Sequence, residues 1–196
     1  MSATTGKIAF SDRGELRDAV KIFTGTDDSD KQQIISTYGE IRDWDVKNVT
    51  DMEYLFYQCK NFNSDISNWN VANVTDMNGM FYNCKVFNSD ICLWDVGNVT
   101  DMSDMFYHCH NFNSDIRNWD VSNVTTMYGV FYNCRKFNSD ISKWNVRNVT
   151  DMTNMFMNCP IFNSDISNWN VGNVTDNTNM FKNCHNFLNS TSPFNH

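Results

Sequence analysis

No stretch of this sequence approaches the roughly 20 apolar residues that cross a bilayer, and its start, Met1-Ser2-Ala3-Thr4-Thr5-Gly6-Lys7, has no apolar core of the kind a secretory leader carries. Neither membrane insertion nor leader-directed export is expected. Basic charge is scarce as well: 15 Lys and Arg stand against 23 Asp and Glu, a formal net charge of −8. That balance repels phosphate backbones and anionic headgroups, so no nucleic-acid partner and no charge-driven membrane binding are expected. The seven cysteines include no Cys-x-x-Cys pair, which argues against a clustered thiolate metal site. A nucleophile–base pair, a phosphate loop and a zinc-protease helix are all missing, and paired carboxylates arise only through repetition. The expectation is a protein that is not an enzyme and uses no cofactor or metal.

What the sequence has is packing material and a period. Hydrophobic residues make up 41% and aromatic residues 14%, a globular composition. Trp44, Trp69, Trp94, Trp119, Trp144 and Trp169 recur every 25 residues, as do Cys59, Cys84, Cys109, Cys134, Cys159 and Cys184. Two phenylalanine series, from Phe56 to Phe181 and from Phe62 to Phe187, keep the same step. A period of 25 falls in the leucine-rich-repeat range and well short of helical-pair arrays. Within a unit, Met77, Met80, Phe81 and Cys84 lie at i, i+3, i+4 and i+7, the spacing of one helix face. Thr75 or Asp76 would cap that helix, and Thr50 with Glu53 would form a capping box. The run Phe87-Asn88-Ser89-Asp90-Ile91 is too short for a helix and is expected to form a strand near Ile91. Six such strands, spaced about 4.8 Å apart, would make a parallel sheet on the order of 29 Å wide.

The fold class expected is therefore α/β: a right-handed leucine-rich-repeat-like solenoid with a parallel β-sheet, short helices and an N-terminal helical cap. Residues 1–40 form that cap, with Leu16, Ala19, Val20 and Phe23 as the apolar stripe of a helix beginning near Ser11 or Asp12. Residues 41–187 hold the six units, and residues 188–196 form a C-terminal tail. In the last unit the core methionine gives way to Asn177, as terminal repeats with one wet side allow.

Segments such as Trp-Asn-Val-Ala-Asn-Val-Thr-Asp-Met (69–77) followed by Met-Phe-Tyr-Asn-Cys (80–84) resemble the BspA-like leucine-rich repeats, a bacterial-surface-protein family. The lead-in Tyr38-Gly39-Glu40-Ile41-Arg42-Asp43-Trp44-Asp45-Val46 is similar to that family too, and the resemblance spans roughly residues 8–187. Such repeats occur in bacteria, protists, algae and large DNA viruses. The resemblance implies adhesion or protein binding at a surface and carries over no catalytic residue.

The polar ladders have structural readings. The six periodic cysteines sit on the Met/Phe face and are expected inside as reduced thiols, since sulfurs about 5 Å apart are too distant for a disulfide. Reduced thiols favour an intracellular compartment, whereas the family resemblance favours a surface. Asp65, Asp90, Asp115, Asp140 and Asp165 would repel one another unless backbone amides of the turn, or calcium, offset the charge. The six Asn-Val-Thr triplets read as turn and cap residues rather than glycan acceptors. His108 and His110 flank an inward-facing Cys109 and are expected in solvent, not as a metal trio.

Function is expected to be protein–protein interaction on a non-enzymatic scaffold, with adhesion to a repetitive ligand such as glycan as the alternative. The candidate binding residues vary between units beside the expected strands: Ser67, Asn68, Cys92, Leu93, Arg117, Asn118, Ser142, Lys143, Ser167 and Asn168. Cys92 and Leu93 form an apolar spot where other units carry polar groups.

Overall fold

A computed structural model describes residues 8–194. Residues 1–7, on which the leader reading and the start of the expected cap fall, lie outside it, as do residues 195–196 of the tail. The first described element is α1 (Arg13–Phe23). Asp12 caps it by accepting from the Glu15 amide, and the Glu15 carboxylate in turn accepts from the Ser11 amide at 2.7 Å. These reciprocal bonds satisfy amides that the first helical turn leaves unpaired. Leu16, Ala19, Val20 and Phe23 are buried. A second helix, α2 (Asp28–Tyr38), follows with Asp27 as its cap. It has no fully buried residue and only a weak apolar face, so periodicity gave no hint of it.

Beyond α2 the expected architecture does not hold. Among the described residues there is no β-strand and no sheet, and the only helices after α2 are two three-residue 3-10 turns, Ile41–Asp43 and Asn189–Thr191. The α/β class, the parallel sheet, the helix in every unit and the leucine-rich-repeat solenoid built from them are therefore corrected together.

The reason for the missing helices is local. In the helix expected over 75–84, Gly79 and Asn83 have φ of 56° and 61°. Their counterparts Tyr54 and Gln58, Asp104 and His108, Gly129 and Asn133, Asn154 and Asn158, and Asn179 and Asn183 are likewise left-handed. A right-handed helix cannot contain a left-handed residue at every fourth position. The chain instead makes consecutive tight turns: Met80 N–H donates to Met77 O, Tyr82 N–H to Gly79 O, and Cys84 N–H to Phe81 O. Gly79 and Asn83 occupy the third position of the first and last of these turns, where a type II turn needs positive φ.

The strands are missing for a different reason. Around Ile91 neighbouring units are joined by side chains: the Asn88 amide donates to Asn63 Oδ1 and the Ser89 hydroxyl to Ser64 O. The same Asn-to-amide bond recurs at Asn113, Asn138 and Asn163. Asparagine thus takes the acceptor position that a strand's carbonyl would fill. Parallel pairing between units shrinks to isolated bridges at Asp51, Asp76, Asp101, Thr126, Asp151 and Asp176.

The units nonetheless stack, because the turn segment bonds to the next unit at alternate residues. Met77, Gly79, Phe81 and Asn83 donate their amides forward to the carbonyls of Asp101, Ser103, Met105 and Tyr107. Four such bonds recur at each of the five junctions. Each bonded peptide unit of this turn segment aims its N–H forward and its C=O backward, whereas the amide of Thr75 and its counterparts donates to the unit before. The peptide dipoles, about 3.5 D each, therefore add along the stack instead of alternating as in a strand.

Inside, equivalent side chains form columns. Phe81, Phe106, Phe131 and Phe156 stack with centroids 5.6–5.8 Å apart. Each Trp from Trp69 to Trp169 donates its indole N–H to an isoleucine carbonyl of the preceding unit, for example Trp94 to Ile66 at 3.2 Å. These bonds let a tryptophan be buried without an orphaned donor. Trp44, in the first unit, bonds instead to Gly39 O and packs on Phe10 and Phe23, which closes that end.

Candidate binding cleft

Arg13, Arg17 and Lys21 lie four residues apart and so share one stripe of α1. That stripe runs beside the first unit: Arg13 pairs with Asp51 at 3.1 Å and Glu53 at 2.8 Å, while at the far end Cys59 Sγ reaches Thr24 Oγ1 at 3.5 Å. Between helix and unit opens a cleft of about 750 Å³. Arg17, Lys21 and Val20 line one wall, with Tyr54, Leu55, Tyr57 and Tyr82 on the other and Asp104 beyond them. The volume is within the range of small-ligand and peptide pockets.

The floor exists because of two glycines. A Cβ on Gly79 would lie 2.2 Å from Tyr54 Cε1, and one on Gly129 would lie 2.3 Å from Asp104 Oδ1. Each glycine therefore makes room for a side chain leaning from the unit before. Asp104 Oδ1 is buried and has no hydrogen-bond partner. Burial, and then the neighbouring Asp101 carboxylate, raise the Asp104 pKa to about 6. Burial followed by Asp104 also raises the Tyr54 and Tyr82 hydroxyls above their ordinary value.

From the cleft a column of tyrosines continues along the stack. Tyr57, Tyr82, Tyr107 and Tyr132 follow one another with centroids 5.3, 4.5 and 4.4 Å apart, the last two pairs nearly parallel. Next to the column, Asn133 Nδ2 lies 3.1 Å from His108 Nδ1 and 3.3 Å from His110 Nε2. Burial, then the Arg135 charge, lowers both imidazoles below the usual histidine range. Cys109, between them in sequence, turns inward and donates to Phe81 O. Among the described residues no three or more His, Cys, Asp or Glu groups are placed to hold a metal ion.

None of the ten candidate residues from the sequence lines this cleft. They form their own row, with Asn68, Leu93, Arg117, Asn118, Lys143 and Asn168 exposed and Ser67, Cys92, Ser142 and Ser167 half-exposed. The backbone amides of Ser67, Cys92, Arg117, Ser142 and Ser167 donate to Asp65, Asp90, Asp115, Asp140 and Asp165 at 2.9–3.1 Å. Hydrogen bonds hold the exposed carboxylates of Asp65, Asp115, Asp140 and Asp165 below the usual aspartate range: the Ser67 hydroxyl leads at Asp65 and the Arg117 guanidinium, whose Nε lies 2.9 Å away, leads at Asp115, with the backbone amides second, whereas at Asp140 and Asp165 the amides of Ser142 and Ser167 lead and their hydroxyls follow. Leu93 is 86% exposed. Sequence reasoning missed the cleft, although the four-residue spacing of Arg13, Arg17 and Lys21 and the 25-residue spacing of the tyrosines were both readable.

Nothing among curated proteins or solved structures matches this chain. One family model does match, over residues 21–127 and again over 109–196. Two overlapping matches that together run through all six units mean that the chain belongs to the family described as "Mycoplasma protein of unknown function, DUF285".

Proposed function

We propose that the chain is a non-enzymatic binding protein that holds a peptide segment of another protein in the cleft between α1 and the tyrosine column. The observation that carries this is Asp104, whose Oδ1 is buried without a partner at the edge of a cleft rimmed by two cations, Arg17 and Lys21, that have no ion pair among the described residues. A buried acceptor left unpaired costs about 1–3 kcal/mol. A ligand N–H donor in the cleft meets the half-buried Asp104 carboxylate that lines it and offsets that cost, while a carboxylate on the same ligand meets Arg17 and Lys21. A peptide supplies both groups, together with side chains to lie against the tyrosine rings, and tyrosine is over-represented at protein interfaces. A binding role rather than catalysis is further supported by the thiols: burial pushes Cys84, Cys109, Cys134 and Cys159 up, so they stay protonated.

The adhesive, glycan-binding alternative suggested by the BspA-like resemblance has the periodic tyrosine column in its favour. Sugar rings, however, stack on free aromatic faces, and here the faces of Tyr82, Tyr107 and Tyr132 are largely covered by each other. Selection of a random displayed peptide library on the intact chain, and in parallel on an Arg17→Glu/Lys21→Glu variant, tests the peptide reading. Peptides enriched on the intact chain should carry an acidic residue and lose binding to the variant. Equal enrichment on both proteins would defeat the proposal, and binding confined to a glycan array would transfer the function to the alternative.

A further inference from the structure

The stack is polar, and its two ends are finished differently. At the first unit the peptide carbonyls of Asp51, Glu53, Leu55 and Tyr57 occupy the positions that in later units accept from the unit before. Here α1 runs along the same segment and lays Arg13, Arg17 and Lys21 beside it. The negative end of the aligned peptide dipoles thus faces, across the cleft, a helix carrying a basic stripe.

The last unit shows the converse groups uncovered. The amides of Met152, Asn154, Phe156 and Asn158 donate to Asp176, Thr178, Met180 and Lys182 of the following unit. The equivalent amides of Asn177, Asn179, Phe181 and Asn183 meet no acceptor among the described residues. Asn177, Asn179 and Asn183 are exposed, Phe181 is half-buried, and Lys182 and His185 stand exposed beside the row.

We propose that this row of four amides is a docking edge for an acidic segment of a second protein, a site separate from the cleft and independent of its reading. The edge is donor-only, and that determines what fits. An ordinary β-strand presents N–H and C=O groups on each edge, so its own N–H groups would face these amides. The edge therefore rejects the usual strand addition and takes acceptors alone. Carboxylate side chains are acceptors that also carry the charge favoured at the positive end of aligned dipoles. Amides two residues apart lie at most about 6.6 Å from each other, the repeat at which alternate side chains of an extended peptide follow one another. The chain displays the complementary arrangement at its other end, where a basic stripe faces a carbonyl row across the cleft.

The test follows the amide resonances of the isotopically labelled 196-residue chain while a decaglutamate peptide is added at low salt, with decaglutamine and a ten-residue oligothymidylate as comparisons. The Asn177, Asn179, Phe181 and Asn183 amides should shift downfield with decaglutamate and return as salt is raised. An Asn179→Asp/Asn183→Asp variant places two carboxylates on the edge and should weaken the peptide about tenfold. Aspartate already occupies the equivalent left-handed position at Asp104, so the variant keeps its backbone, and an unchanged melting temperature verifies this. The proposal is overturned if decaglutamine binds equally well, if the oligonucleotide binds these amides more tightly, or if decaglutamate moves only the resonances around Arg17 and Lys21. Sedimentation showing that the row is already occupied by a second copy of the chain would overturn it too.

Discussion

Replacing Gly79 by alanine separates the observed turn structure from a helix by the sign of the effect. In a helix over 75–84, alanine for glycine would stabilise the protein by about 1 kcal/mol. In the structure Gly79 has φ of 56°, and its new Cβ would sit 2.2 Å from Tyr54 Cε1. Left-handed backbone costs an L-residue about 1–2 kcal/mol. Displacing the packed tyrosine ring adds about 1–3 kcal/mol, the usual cost of overpacking. Together these make Gly79→Ala destabilising by roughly 2–5 kcal/mol. A Tyr54→Ala/Gly79→Ala variant removes the clash and leaves the backbone cost, so the second alanine should be far better tolerated on that background. Urea unfolding followed by fluorescence of the six tryptophans measures both. A stabilised Gly79→Ala protein, or an equal penalty with and without the Tyr54 ring, would refute the account of this turn.

The pH dependence of stability should carry the mark of Asp104. Its folded pKa is raised to about 6 against about 3.9 unfolded, so its favourable contribution is complete below the unfolded value and is lost as pH rises from 4 through 6. Melting temperatures between pH 4 and 7 should fall less steeply for Asp104→Asn than for the parent, and parallel curves would count against the unpaired-carboxyl description. Thiol accessibility should divide the seven cysteines: half-exposed Cys92 should react first with Ellman's reagent, although its bond to Asp90 raises its pKa, whereas Cys84, Cys109, Cys134 and Cys159 should react only on unfolding. Rapid native modification of Cys109 would contradict its position against Phe81 O.

The period and the inward columns were legible because tryptophan, phenylalanine and cysteine repeat at a fixed step and all three fill the interior. The turn geometry was less so. Met77, Met80, Phe81 and Cys84 have helical spacing, yet the same side chains also point inward from successive turns, so an apolar pattern alone does not distinguish the two. The deciding signal was in the polar positions between them: Gly79, Asp104, Gly129, Asn154 and Asn179 in one column, and Asn83, His108, Asn133, Asn158 and Asn183 in the other. Glycine, asparagine and aspartate recurring every 25 residues are the residues that tolerate positive φ. Asn63, Asn88, Asn113 and Asn138 fell in the expected strands, and their use as acceptors between units depends on a stacking distance that a sequence does not contain. The candidate binding row followed variation between units, whereas the cleft depends on α1 lying across the first unit, a long-range contact no local pattern reports.

Forward-pointing amides at every internal junction give the molecule a direction of assembly. Any interior unit offers the same four turn amides ahead and four carbonyls behind, with one threonine amide directed backward, so a further 25-residue copy could be spliced between two existing ones and find both neighbours ready. A copy inserted in reverse would set donor against donor on one side and acceptor against acceptor on the other. Lengthening by tandem duplication is thus built into the backbone chemistry, and the near-identity of the interior copies is what a chain grown in that way would retain.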